Sequence, residues 1–115
     1  MKALHLTLLA SLTFGMLLET PNAVAAETAV ICTPTGVATF SSRIHVRCAQ
    51  SFSGIAFFAY SSSDSAGAAR YSSIATSALI SGRSVRIFYD PANLSGGSIG
   101  CLTGDCRLLR GLEIL

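Results

Sequence analysis

The stretch Ser61–Asp90, SSSDSAGAARYSSIATSALISGRSVRIFYD, changes its periodicity halfway along, and that change decides the fold class. It opens on Ser61-Ser62-Ser63-Asp64, a run of good helix N-cap residues. From Ser65 to Ser81 the apolar positions Ala68, Tyr71, Ala75, Ala78 and Leu79 recur three and four apart, with Ile74 widening the stripe. That spacing predicts one amphipathic helix of about four turns. Its many Ala and Ser residues make it slim enough to pack close to a sheet. Gly82 suits the position just past the helix end, where a left-handed backbone is wanted. The period then drops to two. Val85, Ile87 and Tyr89 share one face of a strand starting near Arg83, with Arg86 and Phe88 opposite, and Asp90-Pro91-Ala92-Asn93 stops it.

Upstream of the helix the pattern is all strand. Val30–Phe40 is rich in β-branched residues, and Pro34 and Gly36 suggest a bend or bulge within it rather than a break. Arg43-Ile44-His45-Val46-Arg47 alternates strictly, which predicts a half-buried strand with a basic outer face. A turn is expected over Ser51–Gly54. Ile55–Tyr60 is apolar on both faces, so it is either a central strand or a subunit interface. Downstream, Ser95–Gly100 (SGGSIG) reads as a flexible loop. Arg107–Leu115 reads as a last strand, with Leu108, Leu112 and Ile114 on one face and a final helical turn as the alternative. The order β-β-β-α-β-β is that of a small five-stranded OB-fold-like barrel, mainly β with one helix. Short α+β sandwiches are the competing reading.

The N-terminus sets the compartment. Lys2 is followed by an apolar run to Leu18, then Glu19, Pro21 and the small residues Ala23-Val24-Ala25-Ala26. This order predicts a signal peptide, residues 1–26, cleaved after Ala25 or Ala26. The apolar run is short for a membrane span, and none is expected once the signal is removed. A single domain, 27–115, remains, secreted or periplasmic and near the lower size limit for a core that stabilises itself. All four cysteines lie in it. A zinc site at Cys101-x4-Cys106 would need a second ligand pair from Cys32, Cys48 and His45, and a redox centre would prefer Cys-x-x-Cys. Export instead favours a disulfide framework. Of the three pairings, Cys101–Cys106 with Cys32–Cys48 is the expected one. In the chain-entropy model the short loop contributes about 2 kcal/mol and the longer about 3. No metal and no cofactor are expected.

Few residues suggest catalysis. His45 is the one histidine after the expected signal, and no G-x-S-x-G or phosphate loop accompanies it. The acidic residues are scattered, which disfavours a glycosidase pair. Seven arginines against five carboxylates in residues 27–115 leave too small an excess for a nucleic-acid footprint.

The segment from Ala68 to Arg107 resembles the C-terminal half of the B subunits of subtilase cytotoxin and the related typhoid-type toxins. The matching residues are Gly82, Ser84, Val85, Arg86 and Ile87 at the helix-to-strand junction, then the late pair Cys101 and Cys106. The resemblance spans about half of residues 27–115. It implies an OB-fold, a homopentameric ring, recognition of sialylated glycans and a separate catalytic chain seated on the ring. The N-terminal half departs from the family. Where those subunits carry a Tyr-Tyr-Ser-Asp-type stretch, the nearest region here is ATFSSRIHV, which brings in Ser41 and Ser42. Arg43 and Arg47, on the outer side of their strand about 7 Å apart, are expected to receive an anionic group such as a sialic acid carboxylate. These four are the candidate ligand-binding residues. The expectation is an exported, non-enzymatic binding module. A monomeric periplasmic protein that binds or inhibits another protein is the alternative, and a small hydrolase a distant third.

Overall fold

The computed structural model describes residues 27–115; the expected signal peptide and its cleavage site lie outside the described residues. The chain is mainly β with one helix. Its elements are β1 (Thr28–Cys32), β2 (Pro34–Thr39), β3 (Arg43–Phe52), β4 (Ile55–Ser61), α1 (Ser65–Ser81), β5 (Val85–Tyr89), a 3-10 turn (Ser95–Ile99), β6 (Cys106–Leu108) and β7 (Gly111–Ile114). The strands form two sheets, β1-β5-β7 and β2-β3-β4-β6. Every ladder is antiparallel except β4–β6.

Two expectations are corrected. The strands number seven rather than five, and the sheets do not fuse into a closed barrel. Both corrections have one cause: the first and last expected strands are each broken at a corner and divided between the sheets. At the first corner Thr33 leaves both ladders. Its N–H goes to the Gln50 side chain at 2.8 Å and its carbonyl accepts from Ala49 at 2.9 Å. Pro34, with no N–H to donate, then opens β2 through a register shift before Gly36. At the second corner the switch occupies two residues. Leu109 donates its N–H to Ala59 of β4, and Arg110 donates to Phe88 of β5, both at 2.8 Å. The Leu109 side chain is buried where the chain crosses. Leu108 and Leu112 consequently serve different packing clusters, and Ile114 is partly exposed.

The helix occupies the predicted residues. Asp64 caps it through the Gly67 N–H, and Gly82 ends it in the left-handed region at φ 68°. It packs on β2, β3, β4 and β7, and its contact is made by the small side chains of Ala68, Ala75 and Ala78. Leu79, expected on the buried stripe, is partly exposed. The core between helix and sheets centres on Val46, Phe58, Val85 and Ile87, with Phe58 edge-on to Tyr89 at 4.9 Å.

β3 runs on to Phe52, so the expected turn shrinks to Ser53-Gly54. Both residues have positive φ, 52° and 85°, as a tight two-residue hairpin with right-handed strand twist requires. β4 is a central strand. Its second face is covered within the chain: Ala59 is buried against Cys101 and Cys106, with Phe57, Ile99 and Leu108 around them. The segment expected as a flexible loop is the 3-10 turn that carries this cover.

Cys32 pairs with Cys48 and Cys101 with Cys106, with Cα separations of 5.4 and 5.2 Å. The first bridge joins the two sheets at the Thr33 corner, and the second closes the loop over β4. Two disulfides in a small domain indicate an oxidising environment. No described helix is long and apolar enough to cross a membrane.

Candidate functional site

A cleft of about 460 Å³ lies where the end of β4 faces the 3-10 turn. Its first wall is built from Tyr60, Ser61, Ser63 and Asp64. Here β4 gives way to α1, and the capping Asp64 lines the opening beside Ser61 and Ser63. The Tyr60 hydroxyl donates to Asp64 Oδ2 at 2.6 Å, while Asp64 Oδ1 accepts the Gly67 N–H at 3.1 Å. Ser61 and Ser63 share a hydroxyl hydrogen bond at 2.8 Å. The hydrogen bond from Tyr60, followed by that from the Gly67 amide, holds the Asp64 carboxyl below its ordinary range. The same bond to Asp64 raises the Tyr60 phenol above its ordinary value. Gly67 is required here, because a Cβ would strike the Asp64 carboxylate and come within 2.9 Å of the Tyr60 ring.

The opposite wall is the 3-10 turn, which offers Ser95 and Ser98, and the floor is apolar: Ile99, Leu108 and Leu109. Gly96 lets the turn approach the second disulfide, since a Cβ there would lie 2.8 Å from Cys101 Cβ. The turn is fastened to the β2–β3 loop at one atom. The Ile99 carbonyl accepts from Ser42 Oγ at 3.0 Å and from the Arg43 guanidinium at 3.1 Å. Gly100, at φ 88°, passes so close to Arg43 that a side chain would displace the guanidinium. A second cleft, about 360 Å³, lies beyond Tyr60 and Asp64, between the start of α1 and β7.

The four residues expected to bind ligand are divided by the fold. Ser41 is exposed in the β2–β3 loop. Ser42 and Arg43 fasten that loop to Ile99. Arg43 also stacks over Phe40, 4.2 Å from the ring centroid, and edges a small cleft of about 160 Å³ that includes His45 and Phe57. Arg47 turns the other way, donating to the Thr35 hydroxyl at 3.0 Å. The two guanidinium groups thus share the outer face of β3 but serve different partners. Between them His45 lies 5.0 Å from Phe40 and 5.5 Å from Phe57, centroid to centroid. Burial lowers its pKa first, and the charges of Arg43 and Arg47 lower it further.

Sequence reading missed Tyr60, Ser61, Ser63 and Asp64 as site residues, because a Ser/Asp run before a helix is fully accounted for as a cap. The usable signal was Tyr60 four residues before Asp64 together with the isolated hydroxyls Ser95 and Ser98. Tyr71, on the apolar stripe of the helix, packs half-buried against the core and also lines the second cleft. Chemically the main cleft offers hydroxyl donors and acceptors over an apolar floor. Among the described residues, the His45 ring makes no hydrogen bond to a serine or a carboxylate, and no cluster of three potential metal ligands occurs. No protein-family model, no curated protein and no solved structure matches this chain.

Proposed function

We propose that this chain is an exported, OB-fold-like, non-enzymatic binding module that takes a glycan in the cleft between the β4–α1 junction and the 3-10 turn. The ladder order supports the OB-like reading. Counting β1 with β2 and β6 with β7 as two bent strands gives five strands in the order 1-2-3-5-4-1, with the third and fifth parallel. The loop after strand 4 is among the elements with which OB-folds bind ligands, and here that loop carries the 3-10 turn that walls the cleft.

The observation that carries the reading is the composition of the main cleft. Tyr60, Ser61, Ser63, Ser95 and Ser98 place hydroxyls around Leu108 and Leu109, which suits a ring with polar edges and an apolar face. Small-molecule sites are clefts of about 300–1,000 Å³ with few placed polar groups, and this one falls within that range. The likeness to toxin B subunits adds the expectation of sialylated ligands, a homopentameric ring and a separate catalytic chain. The exposed apolar side chains Ile80, Leu94 and Leu102 favour the second reading, a monomer that binds or inhibits another protein.

A glycan array probed with the purified domain tests the proposal. Binding of a defined saccharide that is lost in the double variant Ser63→Ala/Ser98→Ala supports it. Removing two hydrogen bonds at about 0.5–1.5 kcal/mol each predicts a loss of roughly five- to 150-fold. An array with no bound saccharide contradicts it.

A further inference from the structure

We infer that the saccharide recognised here is at least two rings long and lies across Tyr60, with one ring in each of the two neighbouring clefts. The inference rests on the glycan reading above and specifies what that site accepts. The 460 and 360 Å³ clefts have Tyr60 and Asp64 in common. They also follow one continuous piece of chain, with Leu108 and Leu109 lining the first and Gly111 and Leu112 lining the second. The corner at Leu109–Arg110 carries this floor from one sheet to the other, so the groove is a product of the broken last strand.

The two chambers differ in chemistry. The first is walled by serine hydroxyls. The second is walled by α1 residues and by a pair of aromatic rings, Tyr60 and Tyr71, 4.7 Å apart and tilted 58°. Arg70, exposed on α1, lines it too. Tyrosine presents an apolar face and a polar tip, which suits a second sugar ring stacked on carbon and held at its hydroxyls. The hydrogen bond between Tyr60 and Asp64 fixes the partition between the chambers. Each chamber alone is at the low end of the size range of about 300–1,000 Å³ for small-molecule sites, so a single ring leaves half the groove unfilled.

The test is a saccharide array that prints common neutral, amino and acidic sugars both as monosaccharides and as two- and three-ring forms. It is read with the wild-type domain, Arg70→Ala and Tyr71→Ala, followed by titration of the best-bound series. The inference predicts at least a tenfold gain from one ring to two. It predicts that Arg70→Ala, an exposed position that leaves the fold intact, removes most of this gain while preserving the one-ring affinity. Ser98→Ala should weaken one-ring and two-ring forms alike. If monosaccharides bind as tightly as their longer forms, or if Arg70→Ala changes nothing, the two-ring inference is overturned while the glycan reading stands. If no printed saccharide binds, the glycan reading falls and this inference with it.

Discussion

Gly67 sets helix propensity against a steric clash at one position. In a helix interior, replacing Gly by Ala is worth about 1 kcal/mol in favour of the helix. Here the added methyl would collide with the Asp64 carboxylate and crowd the Tyr60 ring. Overpacking costs about 1–3 kcal/mol, and loss of the Asp64 cap costs about another 1. The clash wins, so Gly67→Ala should lower the denaturation midpoint and disturb the groove; a raised midpoint would mean that the cap tolerates the methyl. Asp64 and His45 add pH dependence of one sign. Each has a lowered folded-state pKa, so its stabilising share is complete above the unfolded value, about 3.9 for Asp and about 6.5 for His. That share is lost as pH falls through the folded value. His45 is the one histidine in residues 27–115, and its ring should titrate below 6.5 by NMR. Arg47→Ala should move its midpoint upward, and an unmoved midpoint would separate His45 from the arginine row.

Among the elements, those governed by local rules were legible and those governed by closure were not. The helix follows from its three-four spacing, a cap and a terminal glycine, and its structural bounds are the predicted ones. β3 and β5 bury Ile44 with Val46, and Val85 with Ile87, as their alternation requires. The break at Thr33 has a local mark in Pro34 and Gly36, whereas the break at Leu109 has none. Both arise because each strand must hydrogen-bond to two different neighbours, and only the assembled sheets supply those. The main cleft was hidden for the same reason, since its walls at residues 60–64 and 95–99 meet only when the last strand is in place. The disulfides allow an element-level prediction. Removing Cys32–Cys48 as a Cys→Ala pair should cost about 3 kcal/mol from the unfolded-state term alone, plus the loosening of the Thr33 corner. Removing Cys101–Cys106 should cost about 2 kcal/mol and also release the cover from Ala59 and Phe57. Chemical denaturation of the two variants checks the order; equal losses would mean that the corner bridge does not hold the sheets together.

Over the whole molecule, two sheets share bent strands, one helix covers the core, and a disulfide-closed loop covers the far side of β4. The groove runs along the seam where these parts meet, so its shape depends on how they pack together rather than on any one element. If the likeness to toxin B subunits extends to assembly, light scattering should give the mass of five copies; the mass of one would leave the binding module without the ring. The proposed saccharide lies between the β4–α1 junction and the 3-10 turn. The most direct test is amide chemical-shift mapping of the domain with the strongest saccharide from the array. The account predicts shifts clustered at Tyr60–Asp64 and Ser95–Ile99, extending to Arg70 and Tyr71 for a two-ring ligand. Shifts centred instead on Ile80, or on the outer face of β3 around Arg43 and His45, would contradict it.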